Sequence, residues 1–355
     1  MGGMKLIREV YTGVDWPLLD SFSDRTFSQR KAWIDFVCET QAGDPVVARI
    51  EDAGVTVGFF VGVIVRRMGF QILGSPFPGW TTPYMGFNLR HDVSRADAVD
   101  ALIRYAFCEL GCHHLEISDP YLTGEHFRDV RVKAQLVRTF RSNLLMTEDE
   151  LFARMDGGGC RSCIRKAARS GVVIEEAAPD GFAAEYFTQL EDVFDKQNMR
   201  PTYGMNRVEA LIRHVYPTGD LLLLRARDSD GRSIATGIFA GFNDISYFWG
   251  NASLREYQIV RPNEAMLWYA MKYWKRRGVH WYYWGGDGAY KKKYGGDTVI
   301  YQQFRASGSI VTSMLRDAGR MLYYAPGGWN RRIFNLRSRA DPSIARRDGF
   351  HAMIK

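Results

Sequence analysis

Trp284-Gly285-Gly286 leads into Tyr290-Lys291-Lys292-Lys293-Tyr294-Gly295, and Lys291 is the side chain best suited to meet developing negative charge. Side chains converge at the mouth of an α/β sheet where a strand ends in glycines. A fixed ammonium there can stabilise an oxyanion without accepting a proton. The competing reading is that three consecutive lysines form a solvated turn. Asp119, before Pro120 at an expected strand end, either contacts a substrate or simply starts a turn. Arg200 opens Arg200-Pro201-Thr202-Tyr203 after an expected helix. Its guanidinium suits bidentate contact with phosphate, or offsets the helix dipole.

Other clusters are weaker. Cys160 and Cys163 have Cys-x-x-Cys spacing, and Cys108, Cys112, His113 and His114 lie close in sequence. Neither group has a second half at zinc-site spacing, so buried thiols are the simpler reading and no metal is expected. An odd total of five cysteines fits a reducing compartment. The net charge is +7, and from Arg316 to Lys355 nine cationic residues face three aspartates. Such a basic end suits a polyanion such as RNA or an anionic membrane surface, or it is a solvated tail. Arg161, Arg165 and Lys166 form a second basic face.

These residues need elements to place them. At 355 residues, with 46% hydrophobic and 14% aromatic content, the chain has material for two packed domains. No apolar run reaches the length of a membrane span, and the first residues lack the apolar core of a secretory signal, so a cytoplasmic protein is expected. The two halves repeat one plan. Val46–Glu51, a turn at Ala53-Gly54 and Val55–Arg66 correspond to Leu221–Arg227, a turn at Asp228–Gly231 and Ser233–Phe242. Each hairpin is followed by an amphipathic helix, a glycine and a strand: Ala98–Leu110, Gly111 and His114–Ile117, then Asn263–Arg277, Gly278 and Trp281–Trp284. Arg154–Gly171 is expected to be a basic helix, with Gly157-Gly158-Gly159 placed to uncap a helix or make a corner near the domain boundary, over Thr147–Gly159. The pattern predicts an α/β (α+β) protein of two tandem domains, 1–150 and 151–312, each a mixed central sheet flanked by helices, with a basic extension over 313–355. The aromatic stretches Trp268–Trp274 and Trp281–Trp284 are expected in the core.

Several segments resemble the Fem-type aminoacyltransferases, a tandem GNAT family. Arg161–Val172 resembles its basic "Ile-x-Lys-Ala-x-x-x-Gly-Val" helix, and Pro262–Trp268 the start of its second-domain helix. Trp284-Gly285-Gly286 resembles the strand end that follows, and Tyr290–Gly295 its "aromatic-Lys-x-x-aromatic-Gly" segment. Phe27–Trp33 and Ser118-Asp119-Pro120 are similar to its first-domain segments. The resemblance runs from about Phe27 to Phe304 and implies two GNAT-like domains. It also implies transfer of an amino acid from aminoacyl-tRNA, as co-substrate in place of a cofactor, to an amine-bearing small-molecule or peptide acceptor. Lys291 with Tyr290 would be catalytic. Asp119, Arg200, Tyr203, Trp80, Tyr84 and Asn263 would bind substrate, and Arg161, Arg165, Lys166, Arg331 and Arg332 would bind tRNA. Peripheral membrane contact through the basic C-terminus is a further expectation.

One departure bears on the acceptor. Phe36 stands three residues after Trp33, where a family member has a phosphate-binding lysine, so a nucleotide-linked muramyl peptide is not expected. Two rivals remain. An acyl-CoA-dependent N-acyltransferase is opposed by Tyr257–Asn263, which lacks the glycines of a pyrophosphate loop. A non-catalytic RNA- or membrane-binding protein of the same fold is opposed by Lys291 in its motif.

Overall fold

The computed structural model describes residues 3–67, 69–129, 132–195 and 199–324, with side chains described through Ala318. The described residues form two compact units, and each draws on more than one stretch of sequence: 3–24, 37–136 and 302–324 form the first, and 25–36 and 137–301 the second.

In the first unit β1 (Lys5–Arg8), β2 (Asp44–Asp52), β3 (Val55–Arg67) and β4 (Phe70–Ser75) are antiparallel neighbours in that order. β5 (Gly86–Leu89) pairs with the first half of β3, and β6 (His114–Ser118) lies parallel to β4. The helix Arg95–Arg104 starts on a Ser94 cap, whose hydroxyl accepts from the Asp97 N–H, and widens into a π turn over Tyr105–Glu109. Gly111, at φ 63°, reverses the chain into β6. Phe60, Phe87, Leu102, Leu115 and Ile117 fill the core between helix and sheet.

The second unit repeats this order. β7 (Lys133–Asn143) enters it from residue 137 onward, and β8 (Val173–Glu176), β9 (Leu221–Arg227), β10 (Ser233–Phe242) and β11 (Ile245–Ser253) are antiparallel neighbours. β12 (Trp281–Tyr283) is parallel to β11, and β7 pairs antiparallel on its other side. The helix Pro262–Arg276 packs on β10 closely because two strand positions lack side chains. A Cβ on Gly237 would meet Met266 Sδ at 2.5 Å, and one on Gly241 would meet Trp274 at 2.7 Å. Both sheets are mixed and flanked by helices, and the repeated order is that of two tandem GNAT-like folds.

The compact units do not follow the expected ranges 1–150 and 151–312 end to end, because the closing strands are exchanged. β7 begins among first-unit residues and ends on β12, whereas β13 (Asp297–Ser307) begins in the second unit and its end pairs with β6. Arg154–Gly171 divides beside the glycines expected to uncap a helix or make a corner. Glu148–Arg154 starts on a Thr147 capping box and stops, because the Asp156 N–H donates to Lys293 O at 2.8 Å instead of continuing the helical ladder. Asp156 then caps a π turn, Gly157–Arg161, that leads into Ser162–Arg169, and Gly171 at φ 72° ends the segment.

Candidate active site

β11 and β12 share only the register Ile245↔Trp281 to Tyr247↔Tyr283, although β11 continues to Ser253. One edge of Phe248–Ser253 is thus left open by β12 where the two parallel strands part. The chain leaves β12 through Trp284, which is completely buried, stacked on Tyr294 at 4.5 Å and donating from Nε1 to Ser142 Oγ at 3.0 Å. Gly285 and Gly286 follow at φ 60° and 55°, and a Cβ on Gly285 would lie 2.7 Å from the Tyr247 hydroxyl. The 3-10 turn Ala289–Tyr294 then folds back, with Trp284 and Tyr294 as its two anchors.

That turn separates the three lysines. Lys292 is exposed. Lys293 forms a 2.7 Å ion pair with the buried Glu264 of the helix Pro262–Arg276. Lys291 is half-buried, donates from Nζ to the Gly285 carbonyl, and lies 5.6 Å from the Phe248 ring centroid, at the fork. Burial pulls its ammonium down from the ordinary lysine value to about 8, against the opposing influence of the Asp287 carboxylate. Asp287 Oδ1 is buried and has no hydrogen-bond partner among the described residues. Sequence reasoning missed Asp287 and Glu264. Asp287 lies four residues before Lys291 in the same glycine-rich turn, which is the only local sign of it.

Other expected residues of the second unit divide into packed and open ones. The ring of Tyr290 is 52% exposed beside Lys291, 5.7 Å from its Nζ. Tyr203 is buried against Trp249, its hydroxyl 2.8 Å from that of Tyr186, whereas Arg200 is exposed. Asn263 donates to Ser253 Oγ at 3.0 Å, and its own Oδ1 has no partner among the described residues. It sits at the start of its helix, where Arg261 takes a left-handed φ of 61° and no side chain caps the first turn. Of the basic face, Arg165 is exposed and packs over Phe152, and Arg161 and Lys166 are half-buried. Arg331 and Arg332 lie outside the described residues. Phe36 is fully buried against Trp33.

In the first unit, Trp80, Tyr84 and Asp119 are 4%, 3% and 1% exposed. Asp119 Oδ2 accepts from the Phe87 N–H at 2.9 Å and Oδ1 from the Tyr121 N–H at 2.8 Å, so the carboxylate ties β5 to the chain leaving β6. Burial raises its pKa to about 6, opposed by Arg95 3.9 Å away and by those two N–H groups. Sequence alone gave no sign of this internal clasp. Gly86 makes it possible: at φ 98° it sits so close that a Cβ would lie 2.5 Å from Asp119 Oδ2. Gly86→Ala is expected to cost at least ~2 kcal/mol through strain and collision. In a urea titration series, Asp119→Ala should make the Gly86→Ala penalty smaller, because the colliding oxygen is gone. Equal penalties in both backgrounds would disprove the clasp.

The cysteine clusters do not converge. Cys160 is buried, its thiol pushed up to about 12 by burial, and His114 bonds Ser307 and Glu116 rather than turning to Cys112. Among the described residues no three His, Cys, Asp or Glu side chains are grouped as a metal ion requires.

Residues 158–293, within the second unit, match the sequence family described as an acetyltransferase (GNAT) domain. No curated protein sequence matches the chain. Among solved structures, FemX superposes with a TM-score of 0.72 at 14% identity, covering 87% of this chain and 99% of its own. The C-terminal domain of a putative lysylphosphatidylglycerol synthetase from Agrobacterium fabrum matches with a TM-score of 0.51 at 13% identity, over 82% of this chain and 92% of its own. L-PGS from Bacillus licheniformis also gives 0.51, at 10% identity, over 81% and 95%. The chain shares the fold of these proteins.

Proposed function

We propose that the protein forms an amide by moving an aminoacyl group from tRNA to an amine-bearing small molecule or peptide, with the reaction centred on Lys291. The observation that carries this reading is one half-buried ammonium, held on a backbone carbonyl at the point where β11 and β12 separate. The acceptor nitrogen attacks the ester carbonyl carbon, and the carbonyl oxygen becomes an oxyanion facing Lys291 Nζ. As the tetrahedral species collapses, the bond to the ribose oxygen breaks and the proton lost by the amine ends on that oxygen. Lys291 stays protonated throughout and stabilises charge that exists only in the transition state and intermediate. The unpaired Asp287 Oδ1 supports an aminoacyl donor, since it can accept from an α-ammonium that a simple acyl group lacks. The basic face at Arg161, Arg165 and Lys166 supplies contacts for tRNA phosphates. The likeness in fold to FemX and to the lysylphosphatidylglycerol synthetase domain is in keeping with aminoacyl transfer.

A second reading, an acyl-CoA donor, has one observation in its favour. The helix at Pro262 starts without a capping side chain, and its free N–H groups suit an anion. Incubation with mixed aminoacyl-tRNA and candidate amines, followed by mass spectrometry, decides between them. Amide products that vanish after ribonuclease treatment are expected. Robust turnover of an acyl-CoA in mixtures free of tRNA would overturn the proposal in favour of the second reading.

A further inference from the structure

The helix Ile310–Tyr324, which follows β13 in the first unit, is amphipathic with its faces reversed. Helical spacing puts Ile310, Val311, Met314 and Leu315 on one side, and they are 80%, 66%, 67% and 54% exposed. The opposite side is polar and turned to the protein. Arg316 donates to the buried Glu116 at 2.8 Å, and Lys133 reaches Ser313 at 3.2 Å and Asp317 at 2.9 Å. Ion pairs hold the helix down while its aliphatic side chains face outward, the reverse of an ordinary surface helix. Contiguous aliphatic exposure of this kind marks a surface that is covered in use.

We propose that this face seats in the surface of an anionic lipid bilayer. At 15 residues the helix is too short to cross a membrane, which takes about 20, and none among the described residues is long and apolar enough to do so. It suits the interface, where an apolar face enters the boundary between headgroups and acyl chains. The charge of the chain that follows selects the occupant. Residues 325–355 contain six arginines and one lysine against two aspartates. A modest apolar face and an adjoining basic segment are the two signals that together hold a protein on an anionic surface. A second copy on the same face would bring two such basic segments together, which their repulsion opposes.

The test uses the full chain and flotation with vesicles of phosphatidylglycerol and phosphatidylcholine, or of phosphatidylcholine alone. The wild type is expected to float with the anionic vesicles and to prefer them by at least ~tenfold. Replacing Ile310, Val311, Met314 and Leu315 together by serine should weaken that binding by at least ~tenfold. The circular dichroism spectrum should be unchanged, because the polar side keeps its ion pairs. The opposite change, Val311→Phe with Met314→Phe, enlarges the apolar face and should strengthen binding severalfold. Absence of wild-type binding to anionic vesicles overturns the proposal, as does equal binding by the serine variant. Sedimentation showing that the serine changes break up an oligomer, with neither form binding vesicles, would assign the face to self-association and overturn it as well.

Discussion

Lys291→Met should slow amide formation by about 10²–10³-fold at saturating substrates, equivalent to ~3–4 kcal/mol of transition-state stabilisation. The methionine keeps most of the length and the apolar stem of the side chain but removes the charge, so the fold should be unaffected. Because the ammonium acts on charge that develops only during reaction, kcat should fall far more than KM changes. Lys292→Met is the control: it removes an exposed charge from the same turn and should leave the rate within about twofold. Equal losses from both would point to bulk positive charge, and full activity in Lys291→Met would refute the role. Lys293→Met is a poor control, since it strands the buried Glu264 carboxylate.

Trp284→Ala should have the largest effect on stability, ~3–5 kcal/mol by urea denaturation. Trp284 is completely buried, stacks on Tyr294, meets Tyr282 edge-on at 4.8 Å and is hydrogen-bonded to Ser142. It is also the anchor from which the Gly285-Gly286 turn departs, so the variant should lose activity even where it remains folded. Trp284→Phe keeps a ring against Tyr294 but loses the N–H and part of the buried indole, and should cost ~1–3 kcal/mol. A loss below about 1 kcal/mol in Trp284→Ala would show that this stack does not hold the Lys291 turn in place.

The repeat was readable because its signals are local. Leu221–Arg227 and Ser233–Phe242 run between clear turn residues, and Gly111 and Gly278 stop helices at left-handed positions. The helix Pro262–Arg276 was readable from its aromatic and aliphatic spacing. What escaped depends on contacts distant in sequence. Nothing near β7 or β13 says which strand each will pair with, so the exchange of closing strands was hidden. The break after Arg154 rests on a hydrogen bond from Asp156 to Lys293, more than a hundred residues away. At the candidate site, the motif singled out Lys291, but not that Lys293 pairs with Glu264 or that Asp287 keeps an oxygen unpaired. Asp119 illustrates the same limit. Its position before a proline allowed a substrate contact or the start of a turn, but did not show that its carboxylate also accepts from the Phe87 N–H of β5.

The most direct measurement of the account is the pH dependence of single-turnover amide formation by quench-flow, from about pH 6 to 10, in wild type and Lys291→Arg. If Lys291 must carry its charge, the wild-type rate falls as pH rises through about 8, the value to which burial lowers its ammonium. An arginine stays charged across the whole range, so the fall should be absent in Lys291→Arg even if its maximal rate is lower. A wild-type rate that instead rises through about 8, with that rise lost in Lys291→Arg, would make Lys291 a proton acceptor and contradict the account.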